Sequence, residues 1–93
     1  MDFLIDGMLS GTGVRDAVNG GYVDPRLIGL SEALAGDIAD WQQKYEQAHF
    51  AGFPHESIAM LDEEGTALAD RAASELSNVS FGYFSNGAMK RLA

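Results

Sequence analysis

The sequence contains no cysteine. Without a thiol the chain forms no disulfide, offers no thiolate nucleophile and builds no cysteine-ligated metal site. The absence of cysteine also fits a reducing compartment. Three common sources of stability or chemistry in small domains are therefore excluded.

Long apolar runs are missing as well. No segment approaches the ~20 consecutive apolar residues that span a bilayer. The first residues carry acid, at Asp2 and Asp6, where a secretory signal needs base. We therefore expect a cytoplasmic protein without a membrane-spanning segment.

Basic residues are scarce: six Lys and Arg stand against 14 Asp and Glu, for a formal net charge of −8. The surplus acid lies in residues 31–76, which hold only two bases, Lys44 and Arg71. The ten acids of this segment are Glu32, Asp37, Asp40, Glu46, Glu56, Asp62, Glu63, Glu64, Asp70 and Glu75. Such a field repels phosphate backbones and anionic lipid headgroups and favours a basic protein surface. We expect no direct binding to nucleic acid or membrane.

The acidic segment also has the strongest helical pattern. A first apolar stripe, with alternating steps of four and three residues, consists of Leu34, Ile38, Trp41, Tyr45 and Ala48. Ser31 suits its N-cap, and Gly52 followed by Pro54 predicts an end near Ala51. Pro54 then fits the first position of a second helix, whose stripe consists of Ile58, Leu61, Gly65, Leu68, Ala72 and Leu76. The two stripes predict an antiparallel helical hairpin that provides the core.

Gly65 stands on the second stripe where a large residue is expected, at a helix-propensity cost of about 1 kcal/mol relative to alanine. We interpret it as a point of close approach, opposite Trp41. A break between two shorter helices is the alternative.

Both ends of the chain carry strand signals. Residues 1–6 alternate weakly and indicate a short edge strand, whereas residues 79–84 predict a half-buried strand. The two strands are expected to pair, because each alone leaves its hydrogen-bonding ladder unpaired. Residues 88–92 form either the second arm of a hairpin or a last helical turn. We predict one α+β domain, residues 1–93, in which the helical hairpin packs on a small sheet formed by the N- and C-terminal strands.

Glycine and turn residues dominate residues 8–21, within which residues 14–18 form either a brief strand or a helical turn. Gly11-Thr12-Gly13 suggests a phosphate-binding loop. However, Asp16 occupies the third glycine position of G-x-G-x-x-G, and no Gly-Lys-Ser/Thr follows. Neither nucleotide-binding fingerprint is met.

One further pattern spans most of the chain. It consists of Val23-Asp24-Pro25, Leu30-Ser31, Leu34, Trp41, Tyr45-Glu46, His49-Phe50, Glu64-Gly65, Leu68-Ala69 and Glu75-Leu76. This pattern resembles one found in small uncharacterised bacterial proteins, and it covers residues 22–84 but not residues 8–21. The resemblance implies a compact helical pair with flanking strands and brings no activity, cofactor or catalytic residue.

Candidate chemical sites are few. His49 and His55 flank the interhelical connection, with Glu56 beside the second, but no signature such as H-E-x-x-H accompanies them. An EF-hand loop counted from Asp62 has its glycine and its final acid at the wrong positions. Ser57 lies two residues after His55, a spacing that points the two side chains apart on a helix. We predict no enzyme activity, no catalytic residue, no metal and no other cofactor.

The charge of the helical pair supports a first hypothesis of function. In it, the protein presents an acidic helical face to a basic protein partner, in the manner of an inhibitor, an immunity protein or a regulator. The predicted interaction residues are Asp37, Asp40, Asp62, Glu63, Glu64 and Asp70. The alternative is a structural or assembly protein that forms a homo-oligomer through an aromatic surface, if Phe50, Phe53, Tyr83 and Phe84 are exposed together.

Overall fold

The computed structural model describes all 93 residues and contains two helices and four strands. In chain order these are β1 (Asp2–Asp6), β2 (Val14–Asp16), α1 (Glu32–Phe50), α2 (His55–Glu75), β3 (Ser80–Ser85) and β4 (Lys90–Arg91). The sheet has the order β2-β1-β3-β4, in which β1 and β3 are parallel and the other neighbours antiparallel. The predicted α+β fold, a helical pair on a sheet formed by the two ends of the chain, is confirmed.

β1 lies in the middle of the sheet, and the prediction of an edge strand is wrong. Residues 14–16 adopt the strand alternative and pair with one side of β1, while β3 pairs with the other. In this register Ile5 lies opposite both Val14 and Tyr83, and all three side chains are buried. Residues 3–6 of β1 are all buried, which is the burial pattern of a central strand.

α1 forms where its stripe and cap predict it. The Ser31 hydroxyl accepts a hydrogen bond from the backbone N–H of Leu34 at 3.2 Å. All five residues of the first stripe are buried. The indole N–H of Trp41 donates to the carbonyl oxygen of Leu61 at 2.9 Å, so the one polar atom of this side chain is satisfied within the core.

The chain reverses direction between the two helices at two residues in the left-handed backbone conformation, Gly52 with φ 78° and Phe53 with φ 55°. Glycine adopts this conformation without the steric cost of a Cβ atom, which explains why the helix ends here. Pro54 is the N-cap of α2 and not its first helical residue. α2 therefore begins one residue later than predicted.

Gly65 is a point of close approach, but its partner is Tyr83 and not Trp41. A Cβ atom built on Gly65 would overlap the Tyr83 ring, with Cδ1 and Cζ both at 2.7 Å. Tyr83 occupies this position because α2 packs on β3. α2 continues through Gly65 without a break.

The C-terminal tail adopts the hairpin alternative. Lys90 and Arg91 of β4 lie opposite Ser85 and Phe84 of β3. The predicted sheet of two terminal strands is thus extended at both edges, by β2 on one side and by β4 on the other.

Glu75 connects the last turn of α2 to the first turn of α1. One carboxylate oxygen accepts the backbone N–H of Ser31 and the other accepts its hydroxyl, both at 2.7 Å. These two hydrogen bonds lower the pKa of Glu75 below its ordinary value of 4.5. The charged carboxylate therefore ties the open end of the helical hairpin together.

We expect the contribution of Glu75 to stability to depend on pH. Because its pKa is lower in the folded state than in the unfolded state, the contribution is present above pH 4.5 and is lost as the pH falls through the folded-state pKa. Urea unfolding of Glu75→Ala and of the unmodified protein should differ at pH 7 and converge on acidification. Glu63→Ala, which removes an exposed carboxylate without a hydrogen bond in the fold, is the control. Equal stability of Glu75→Ala and the unmodified protein at pH 7 would contradict this role.

Candidate protein-binding surface

The first of two inward-facing carboxylates, Asp6, lies at the end of β1 and is completely buried. It accepts hydrogen bonds from the backbone N–H of Met8 at 3.1 Å, from the Tyr22 hydroxyl at 3.3 Å and from the side-chain amide of Asn86. Arg15 Nε is 3.1 Å from the carboxylate but is not aligned for a hydrogen bond, so this contact is an ion pair. Asp6 is enclosed by its own donors and offers no open side to a ligand.

Tyr22 is held in its protonated form by these surroundings. Burial, followed by the negative charge of Asp6, raises the pKa of Tyr22 to about 12. The phenol therefore remains a hydrogen-bond donor to Asp6 at neutral pH. This arrangement favours a structural role for the cluster around Asp6.

Asp62, one of the predicted interaction residues, is the second inward-facing carboxylate and does not lie on the exposed acidic face. It accepts hydrogen bonds from the hydroxyls of Tyr83 at 2.6 Å, Ser85 at 2.9 Å and Tyr45 at 3.5 Å. Consecutive helical residues point about 100° apart, so Asp62 faces the sheet while Glu63 faces solvent. Burial and the hydrogen bond to Asp62 raise the pKa of Tyr83. Asp62 thus joins α2 to β3 and lies apart from the other predicted interaction residues.

Two of the predicted acids form ion pairs between the helices. Asp37 of α1 is 2.8 Å from Arg71 of α2, and Glu64 of α2 is 3.4 Å from Lys44 of α1. Lys44 and Arg71 are the only bases of the acidic segment. Both are therefore engaged within the helical pair, and no base remains there to neutralise the other acids.

The remaining predicted acids, Asp40, Glu63 and Asp70, are exposed and make no ion pair or side-chain hydrogen bond. Glu56 is also exposed and lies seven residues before Glu63, as Glu63 lies seven before Asp70. Seven residues are close to two helical turns, so these three acids follow one stripe of α2. The structure thus arranges unpaired acid in a line along one helix.

The sequence did not reveal the groove that accompanies this acid. Two adjoining cavities, of about 390 and 330 Å³, lie between α1 and α2 and share Lys44 and Glu64. We call them together the interhelical groove; their other lining residues are Asp37, Asp40, Trp41, Gln47, Ala48, Ala51, Pro54, Ser57, Met60, Leu61, Ala67, Leu68 and Arg71. The one available signal was the set of small or apolar residues off the core stripes, such as Ala51, Met60 and Ala67. Met60 is 63% exposed and lines the groove, so it places an apolar side chain at the surface beside the acidic residues.

The four aromatic residues of the alternative hypothesis are not exposed together. Phe50 is 80% exposed, whereas Tyr83 is completely buried. Phe84 is half-buried, with the guanidinium of Arg15 5.0 Å from the centre of its ring. Phe53 is half-buried too, with the His49 ring 4.6 Å away. A homo-oligomer interface built from all four would require Tyr83 to leave the core.

The two histidines are separated by their environments. His49 Nε2 lies 3.0 Å from the carbonyl oxygen of Gly7, while His55 is exposed at the start of α2. The structure contains no group of three or more His, Asp or Glu side chains placed to hold a metal ion. It also contains no helix with the length and apolar character needed to cross a membrane.

No protein-family model, curated protein or solved structure matches the chain. The geometry alone defines a small acidic α+β protein with an open groove between its helices and with unpaired acid in the groove, at Asp40, and beside it, at Glu63. This surface combines exposed, unpaired acid with an apolar groove.

Proposed function

We propose that the protein binds a basic protein partner through the outer side of its helical pair, as an inhibitor, an immunity protein or a regulator does. One observation carries this proposal: the only two bases of the acidic segment are engaged with Asp37 and Glu64, which leaves Asp40, Glu63 and Asp70 exposed and unpaired. Exposed charges of one sign attract a partner of the opposite sign and accelerate its association.

The groove supports the same function. Charge alone attracts any polycation, whereas an apolar groove adds contact area that depends on shape. Met60, Ala51 and Leu61 give the groove its apolar character beside the acidic residues. The combination fits recognition of a folded basic protein better than retention of diffuse positive charge.

Nucleic acid and membrane surfaces are disfavoured as direct ligands, because both carry the negative charge of the protein itself, which has a formal net charge of −8. A cytoplasmic location, where many nucleic-acid-binding proteins provide basic surfaces, is consistent with this proposal. Binding, and not catalysis, is the role that we propose.

The test is co-purification from host lysate with two variants of equal net charge. One variant neutralises the unpaired acids of the helical face: Asp40→Asn, Glu63→Gln and Asp70→Asn. The other adds three lysines at exposed positions outside the helical pair: Ala17→Lys, Ser80→Lys and Leu92→Lys. Each variant is three charge units more positive than the unmodified protein, so the comparison separates the position of the charge from its total.

We expect mass spectrometry to identify a basic protein that the unmodified protein and the lysine variant retain at low salt and release at high salt. The neutralised variant should retain about tenfold less of it. Equal recovery by the neutralised variant, or recovery of no basic protein by the unmodified one, would show that the proposed function is wrong.

A further inference from the structure

The interhelical groove has the dimensions of a helix-binding site. It extends along α1 from Asp37, beside Arg71, to Ala51, beside Pro54. At 1.5 Å per residue this is roughly 21 Å, the length of about four helical turns. Both sheet edges belong to β2 and β4 and lie outside the groove, so an extended peptide that adds a strand would bind elsewhere.

The floor of the groove suits close packing of another helix. Trp41, Leu61 and Leu68 are buried beneath it, while Ala51 and Ala67 leave room above. Small side chains allow a facing helix to approach closely, and the flexible thioether of Met60 adapts to different apolar surfaces. A partner with a stripe of large apolar side chains would fill this space.

The two flanks of the groove differ in charge. On the α2 side Glu63 borders a small depression whose other lining residues, Met60, Glu64 and Ala67, also line the groove. Glu56 and Asp70 continue the stripe of Glu63 at seven-residue intervals, on the solvent side of α2 and outside the groove itself. On the α1 side Gln43 and Gln47 are neutral, and Asp40 is the one unpaired acid. Charge complementarity therefore requires base mainly along one flank of the bound helix.

We propose that the interhelical groove binds an amphipathic helix of a partner protein, with large apolar residues on the buried stripe and Lys or Arg at about seven-residue intervals on the flank that meets α2. This assignment rests on the proposed function, since it names the part of the basic partner that the helical face recognises. A second copy of this chain does not fit, because its own helical pair is acidic.

Lys44 occupies the place of a partner base in the free protein. It lies where the two halves of the groove meet, with its ammonium 3.4 Å from the Glu64 carboxylate of the opposite helix. Both side chains are substantially exposed, at 59% and 41%, and exposed pairs of this kind add little stability. A base of the bound helix therefore displaces Lys44 from Glu64 at small cost, and the partner must compete with Lys44 for that carboxylate.

The experiment uses synthetic peptides of about 16 residues, slightly longer than the groove, and fluorescence anisotropy with the full chain. The first peptide is an amphipathic helix with a leucine stripe and lysines on one flank. The remaining positions of this peptide are alanine. The second peptide has the same sequence except that one central alanine is replaced by proline, which interrupts the helix without changing the charge. Lys44→Met removes the competing base, Glu64→Gln removes its carboxylate, and Lys90→Met removes an equal charge at an exposed position outside the groove.

We expect the helical peptide to bind and the proline peptide to bind at least about tenfold more weakly. Lys44→Met should tighten binding of the helical peptide about fivefold, and Glu64→Gln should weaken it by a similar factor. Lys90→Met should change it by less than about twofold, because the removed charge lies outside the groove.

The outcomes distinguish this inference from the proposed function. If both peptides bind equally and the neutralised variant loses both, the acidic face is a binding surface but not a helix-binding groove. If Lys44→Met and Lys90→Met have the same effect, Lys44 does not compete with the partner. If neither peptide binds while co-purification recovers a basic partner, the function remains supported and the groove is not the site of recognition.

Discussion

Replacement of Gly65 by alanine should destabilise the protein by about 2 kcal/mol, although alanine is the better helix former. Helix propensity favours alanine by about 1 kcal/mol in a helix interior. At this position, however, the new methyl group would overlap the Tyr83 ring, whose Cδ1 and Cζ atoms would lie only 2.7 Å away. The ring is completely buried, packs edge-on against Trp41 and donates its hydroxyl to Asp62. It has no free direction in which to move, so overpacking outweighs the gain in propensity.

Gly36 of α1 provides a matched control. It is also helical, but a Cβ atom built there meets nothing within 4 Å apart from its chain neighbours and the backbone of its own helix. Gly36→Ala should therefore stabilise the protein by up to about 1 kcal/mol. Chemical denaturation of both variants measures the two effects with opposite signs. Stabilisation by Gly65→Ala would mean that α2 does not approach β3 as closely as the structure indicates.

The helical pair was predictable because its evidence is local. The spacing of Leu34, Ile38 and Trp41 defines a buried stripe whatever the helix packs against, and Ser31 caps the helix with its own side chain. The strand at residues 80–85 was predictable for the same reason. In each case the pattern that predicts the element, a 3.6-residue repeat for the helix and a two-residue alternation for the strand, can be recognised from residues close together in the sequence.

The errors in the sequence-based predictions arose where distant segments meet. The partner of Gly65 depends on which strand passes beneath α2, and Tyr83 lies 18 positions after Gly65 in the chain. β1 is a central strand because β2 pairs with its second edge. β2 was not clear from the sequence, because it covers only three residues of a glycine-rich segment. A count of charged residues does not distinguish an inward-facing acid from an exposed one. It therefore did not separate Asp62, which faces β3, from Glu63, which faces solvent.

The candidate site was predictable in charge but not in shape. Net charge showed that the helices are acidic. None of the six predicted interaction residues is buried, but the half-buried Asp62 faces β3 and not solvent. The ion pairs of Lys44 and Arg71 and the groove between the helices depend on the separation and rotation of α1 and α2. Periodicity defines which face of each helix is buried, but it does not define how the two exposed faces meet.

The largest loss of stability is expected from Asp6→Ala, at about 3–5 kcal/mol. Removal of the completely buried carboxylate leaves the charge of Arg15, whose side chain is only 30% exposed, without its partner and leaves several buried donors unsatisfied. Here Arg15 loses its ion-pair partner, and the Tyr22 hydroxyl, the Asn86 amide and the backbone N–H of Met8 lose their hydrogen-bond acceptor. Urea denaturation measures the effect, which is a large fraction of the ~5–15 kcal/mol that stabilises a typical domain.

Asp2→Ala is the matched control for this change. Asp2 lies in the same strand, but it is exposed and its side chain makes no ion pair or hydrogen bond. Its replacement should change stability by less than about 0.5 kcal/mol. Similar losses for the two variants would mean that Asp6 stabilises β1 only through its net charge. If Asp6→Ala does not fold, Asp6→Asn keeps the shape and one acceptor oxygen and tests the same contacts with a smaller loss.

Asp6→Asn also provides a readout that a general loss of stability would not change. The pKa of Tyr22 is raised to about 12, first by burial and then by the charge of Asp6. Removal of that charge should lower the pKa of Tyr22, while burial keeps it above its ordinary value of 10. Absorbance titration, with Tyr22→Phe to identify this phenol among the three tyrosines, measures the shift. Because the folded-state pKa is raised, the protonated phenol stabilises the unmodified protein below pH 10, and this contribution is lost as the pH rises toward 12. An unchanged Tyr22 pKa in folded Asp6→Asn would place the phenol outside the field of Asp6, and the cluster that closes the end of β1 would then depend on Arg15 and Asn86 alone.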